Sequence, residues 1–263
     1  MNRLFTEMKF NKRATIFVTF VTIVFLLSRI TSFIEATMGN ERNMCDFIFY
    51  FIDDYFFITY FTSLMFLILI YYISKNHILC KYCVLKYESK TKWYMHQLGM
   101  IMYYAIFFTV TIIFICILIG FGKFSFNNKS IYISNIVSLK DKEPILLLLI
   151  NAVFFTLYLC LIGFIYFISN LRFKHNILGT MSTVVIVVSI LNVIPYENRN
   201  PYLYKFNIAN NIILSSHNYI KGINQPSFTF SMFYFVVLIV LVIAIGYFYV
   251  KKCSIGLEDK QDE

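Results

Sequence analysis

Residues 228–250 read FTFSMFYFVVLIVLVIAIGYFYV, a run without Asp, Glu, His, Lys or Arg that ends against Lys251 and Lys252. A bilayer's hydrocarbon core is about 30 Å thick and takes roughly 20 consecutive apolar residues per crossing helix. In hydrocarbon every backbone N–H and C=O must be satisfied within the segment, which leaves a helix or a closed barrel. Apolar and polar residues do not alternate at period two here, and the run is about twice the length of a barrel strand. The stretch therefore predicts a membrane-spanning helix.

Five further runs of the same kind lie upstream: 14–34, 55–73, 99–121, 145–169 and 177–194, the last closed by Pro195. Together they predict an all-α polytopic membrane protein with six transmembrane helices forming one domain over 1–263. The composition agrees. Hydrophobic residues make up 59% of the 263 and charged residues only 14%, with mean hydropathy +0.69. A soluble domain carries about 25% charged residues, so most soluble folds are excluded. The abundance of Phe, Tyr, Lys and Asn carries less weight, because codons rich in A and T favour all four.

Orientation follows from Lys and Arg. Segments 1–13, 74–98, 170–176 and 251–263 hold four, five, two and three of them, against one, four and three in 35–54, 122–144 and 195–227. Basic residues concentrate on the cytoplasmic side, which puts both termini in the cytoplasm and makes 74–98 a long cytosolic loop between spans 2 and 3. The net charge of +9 thus flanks the spans and gives no nucleic-acid surface. Residues 1–13 place Leu4, Phe5 and Met8 at helical spacing beside Arg3, Glu7, Lys9 and Lys12, the pattern of a short amphipathic interfacial helix. The first span is too long for a signal peptide and lacks a cleavage site after it.

Signatures of catalysis are absent. The chain has no GxxxxGK[ST], HExxH or GxSxG motif, and spans 2 to 6 hold no charged residue or His. No catalytic, cofactor-binding or metal-ligating residues are therefore expected. Cys80 and Cys83 make a lone CxxC, half of a structural zinc site, and the six cysteines form no disulfide framework because Cys45 alone lies outside. Charged residues within spans mark function by default, and the only one is Arg29. It sits near the outer end of span 1, on the side where Asp53 and Asp54 open span 2, and an ion pair with one of them would form an outer gate.

The 74–98 loop contains Lys86-Tyr-Glu-Ser-Lys-Thr-Lys-Trp93 just before the chain re-enters the membrane. A basic residue, a hydroxyl residue flanked by basic ones and an aromatic on a cytosolic helix resemble the ATPase-docking loop of ABC-2-type permeases, the membrane subunits of ATP-binding-cassette exporters. The layout is also similar over nearly the whole chain: six spans, an interfacial N-terminal helix, a short inner loop between spans 4 and 5, and a semi-polar outer segment 195–227. Within that segment 206–214 is too short to cross and suits a re-entrant element. Lys86 stands where the family often has Arg, which loses the bidentate fork.

The resemblance implies a non-catalytic permease subunit in a bacterial plasma membrane that moves an amphipathic or hydrophobic cargo, such as an antimicrobial peptide, a lipid-like molecule or a drug. It implies two cytosolic ATPase subunits as partners, which carry the ATP and Mg, and a second permease, identical or homologous. Lys86, Glu88, Ser89, Lys90, Thr91, Lys92 and Trp93 would form the coupling loop. A carrier or channel without an ATPase, or a membrane-bound immunity or toxin-binding protein, are the alternatives.

Overall fold

A computed structural model describes residues 12–36, 43–74, 87, 89–125, 143–173, 179, 181, 183–184, 205–217 and 226–252. These residues are mostly helical, with no strand among them beyond a lone bridge between Asn43 and Ser125. The elements are α1 (Lys12–Ala36), α2 (Met44–Ile52), a π-helical segment (Phe57–Thr62) continued by α3 (Ser63–Ser74), α4 (Lys90–Gly120), α5 (Pro144–Phe173) and α6 (Phe228–Lys252). Two short 3-10 turns, Ala209–Asn211 and Leu214–Ser216, precede α6. Four stretches are long and apolar enough to cross a membrane: Thr15–Glu35, Lys90–Gly120, Pro144–Arg172 and Phe228–Lys252. They coincide with expected spans 1, 3, 4 and 6. Span 2 corresponds to the shorter apolar helix Tyr60–Tyr72. Most of span 5, all of 1–11, and Lys86 and Glu88 of the coupling loop lie outside the described residues.

Helices α4 and α6 are apolar all round. On α4, Leu98, Ile101, Ala105, Phe108, Ile112 and Ile115 are buried, while Met102, Ile106, Val110, Phe114 and Leu118 form an exposed stripe one residue in four. A helix apolar on every face belongs in a large core or in lipid. Here the exposed stripe faces no protein, and lipid suits it.

Polar side chains, in contrast, point inward and tie helices together, as expected where lipid offers no hydrogen-bond partner. Thr156 donates to the Thr109 hydroxyl (3.0 Å), Ser63 and Tyr158 share a hydrogen bond (2.8 Å), and Tyr94 donates to the Ile243 carbonyl (2.8 Å). The π segment is part of this arrangement: Ser63 Oγ also donates to the Ile58 carbonyl five residues back, at 2.9 Å, an acceptor that an α-helix would have used four residues on. Close approach is made by glycine. A methyl group on Gly163 would run into Ile101 and Ile70, so only its bare backbone lets α5 lie this near α3 and α4.

Side-chain contacts set the directions. Phe25 stacks on Phe61 and lies tilted against Phe57, while Val18 and Thr22 line a pocket with Leu69; Phe66 meets Phe108, while Ile70 and Ile101 both flank Gly163, so the 57–74 segment runs antiparallel to both α1 and α4. Trp93 against Phe167 and Thr109 against Thr156 make α4 and α5 antiparallel. Phe154 against Phe235 and Ile168 beside Gly246 make α5 and α6 parallel. The bundle therefore has two chemically distinct ends. One gathers α2, the end of α4 and the starts of α5 and α6, and holds every described acidic residue: Glu35, Asp46, Asp53, Asp54 and Glu143. The other gathers Lys12, Arg13, Lys90, Lys92, Arg172, Lys251 and Lys252, leaving Arg29, Lys123 and Lys205 toward the first.

Candidate functional site

The acidic end is built around α2, MCDFIFYFI, in which all but Tyr50 are buried. Residues 35–54 read in the sequence as an outer segment between spans 1 and 2, with no helix expected in it. The signal lay in the apolar run FIFYFI behind Asn43, whose side chain caps the helix by accepting from Cys45 N (2.8 Å). Gly122, at φ 74°, takes the left-handed turn after α4 that an L side chain resists. The turn brings Ser125 beside Asn43, where Met44 N donates to its carbonyl (2.8 Å). Burial, then the neighbouring Asp46, pushes the Cys45 thiol up to about 11. At neutral pH it is held as the thiol rather than the thiolate.

Asp53 and Asp54, adjacent at the end of α2, have different tasks. Asp54 is half-buried: its Oδ1 accepts from Phe57 N (2.8 Å), capping the next helix, and its Oδ2 lies 3.2 Å from Arg29 Nη2. Arg29 also sits over the Tyr50 ring, 5.6 Å from its centroid. Asp53 is buried and accepts from Leu214 N and from Asn151 Nδ2. It thereby fastens the 205–217 segment to α2 and α5. Of the three residues expected at an outer gate, Arg29 and Asp54 meet directly, and Asp53 serves a network that sequence spacing did not reveal.

That network continues through 205–217. The segment reads KFNIANNIILSSH, and its asparagines replace the hydrogen bonds a longer helix would have made. Asn207 Oδ1 accepts from Ala209 N (2.8 Å), and Asn211 Nδ2 donates to the Lys205 and Asn207 carbonyls (2.9 and 2.7 Å). Asn211 Oδ1 accepts from Ser231 Oγ (2.7 Å), which lies 2.9 Å from His217 Nε2. The imidazole is buried, stacked on Phe154 at 5.5 Å and packed against Phe228. Sequence reasoning singled out 206–214 but not His217 or Ser231, because neither stands in a motif; they meet only when α6 folds back over the segment.

At the basic end, α4 begins at Lys90, inside the stretch expected as loop up to residue 98. Ser89 is the reason: its Oγ accepts from Lys92 N at 3.1 Å and satisfies one of the free N–H groups of the first turn. Thr91 and Lys92 are exposed, whereas Trp93 and Tyr94, next in sequence, are fully buried against Phe167. Trp93, which ends the basic run, packs inward on Phe167 and anchors the first turn of α4 in the core. Among the described residues no group of three or more His, Cys, Asp or Glu could hold a metal ion; Cys80 and Cys83 lie outside them.

The chain matches no family model, and no curated protein or solved structure is significantly similar to it.

Proposed function

We propose that this chain is the permease subunit of an ATP-driven exporter of the ABC-2 type, with six crossings and both termini in the cytoplasm of a bacterial plasma membrane. The observation that carries the reading is the start of α4. A capped turn with exposed Thr91 and Lys92 stands directly on Trp93 and Tyr94, locked in the core, at the head of a 31-residue helix. A basic surface so joined to the bundle transmits displacement, as a solvated loop does not. The far end of α4 abuts Met44 of α2, so a push on Lys90 and Lys92 from an ATPase would reach the acidic end.

Two features support six crossings. Helices α5 and α6 run the same way, which requires a return between them. Gly179 lies against Asn170 at the basic end and 205–217 lies at the acidic end, and the sequence between them offers the apolar run 177–194. Lys12 and Lys252 begin and end the described helices at the basic end, the side that positive charge favours as cytoplasmic.

In this reading ATP and Mg act on two separately encoded ATPases, a second permease completes the pathway, and nucleotide shifts the population between inward- and outward-facing forms. An amphipathic or hydrophobic cargo suits spans lined by aromatic rings and hydroxyls. The test is the double variant K90A/K92A in the assembled transporter. ATP hydrolysis should persist while cargo movement falls at least tenfold, with stability unchanged within about 0.5 kcal/mol; coupled transport at the normal rate would refute docking at this site.

A further inference from the structure

The hydrogen bonds around His217 do not close with a neutral imidazole. Nδ1 lies 2.8 Å from the Ile213 carbonyl, which only accepts, so Nδ1 carries the proton of the neutral ring and Nε2 presents a lone pair. Nε2 faces Ser231 Oγ at 2.9 Å, and Ser231 Oγ faces Asn211 Oδ1 at 2.7 Å. The Asn211 amide cannot turn round, because its Nδ2 already donates to two carbonyls. One hydroxyl proton therefore serves two acceptors, Nε2 and Oδ1. Three contacts need three protons, and neutral histidine with serine supplies two.

We propose that His217, Ser231 and Asn211 form a proton-binding site that joins the 205–217 segment to the start of α6. An added proton on Nε2 is donated to Ser231 Oγ, the serine proton goes to Asn211 Oδ1, and Nδ1–H stays on the Ile213 carbonyl. The proton comes from solvent, and no covalent bond is made or broken beyond N–H. The surroundings are mostly apolar, with one group of each charge at their edge. From α5 come Phe154 and Asn151, from α6 Phe228 and Ser231, from the end of α2 the Asp53 carboxylate through Leu214 N–H, and from the segment itself Lys205, whose ammonium sits 4.6 Å over the Phe230 ring.

Burial pulls the His217 pKa down from 6.5 to about 4, opposed by the hydrogen bonds to the Ile213 and Leu214 carbonyls. The site therefore stands empty at neutral pH and fills in acid. Because the folded pKa lies below the unfolded one, the unfolded chain takes the proton first. The stability contributed by His217 is complete above pH 6.5 and declines as pH falls toward 4. The occupied and empty forms differ by one hydrogen bond between the segment and α6, whether or not an ATPase docks at the other end.

The full-length protein, labelled with 15N-histidine and held in lipid nanodiscs, tests this by the ring nitrogen shifts of His217, assigned by comparison with H217Q. Above the midpoint Nδ1 should be protonated and Nε2 bare; a neutral ring protonated at Nε2 would overturn the proton count. Removing the relay hydroxyl in S231A should lower proton affinity at least tenfold, about one pH unit, while S231T, which keeps the hydroxyl, should stay within about twofold. An unchanged midpoint in S231A, or a loss in S231T equal to that in S231A, would sink the proposal.

Discussion

The two ends of the bundle are held by different physics. At the basic end the first turn of α4 is fixed by packing: Trp93 and Tyr94 are fully buried against Phe167, and one serine caps the helix. At the acidic end the segments are short, the chain reverses repeatedly, and order comes from side chains that replace missing backbone hydrogen bonds: Asn43, Asp53, Asp54, Asn207 and Asn211. Packing gives a stiff attachment that tolerates a changing polar exterior. A hydrogen-bonded end is sensitive to the loss of one donor, one acceptor or one proton.

The contrast can be broken from either side. The largest effect is expected from W93A, since emptying a fully buried aromatic site costs about 3–5 kcal/mol. Unfolding titration in mixed micelles should show that loss, and a change under about 1 kcal/mol would mean that Trp93 does not anchor α4. Next comes D53A, which strands the Leu214 N–H and the Asn151 amide in a buried site and should cost about 2–4 kcal/mol. D53N keeps one acceptor and should recover part of the loss; hydrogen exchange at 207–214 should accelerate in D53A while residues 93–98 stay protected. Equal acceleration at both ends would erase the distinction.

The smallest effect belongs to the Arg29–Asp54 pair. With side chains 39% and 24% exposed, it should give a coupling energy of about 0.2–1 kcal/mol in a double-mutant cycle. D54A alone should cost more than R29A, because Asp54 also caps the helix at Phe57. Coupling of Arg29 to Asp53 greater than to Asp54 would reverse the assignment of the two carboxylates.

How far these features were legible depended on their range in sequence. The apolar runs, the absence of strands among the described residues and the segregation of charge are local or additive, and they could be read directly. The start of α4 was legible in part: Ser89 and the basic residues after it were visible, but their helical state was masked by the polarity of the turn. Helix α2 was hidden because a six-residue apolar run between Asp46 and Asp53 looks like a loop when length is the criterion. The burial of Trp93 was not legible either, since its partner Phe167 lies more than seventy residues on. His217 and Ser231 had no local signal at all.

The sequence by itself pointed to an all-α chain with six apolar runs, four of which are helices long and apolar enough to cross a membrane, because the solvent imposes that result on a run of some twenty apolar residues whatever its neighbours. The tertiary structure decided which end each polar side chain serves, that Asp53 and Asp54 part company, and that a histidine, a serine and an asparagine share too few protons. Those outcomes depend on donors and acceptors from distant segments meeting within about 3 Å, and hydropathy carries no information about that distance.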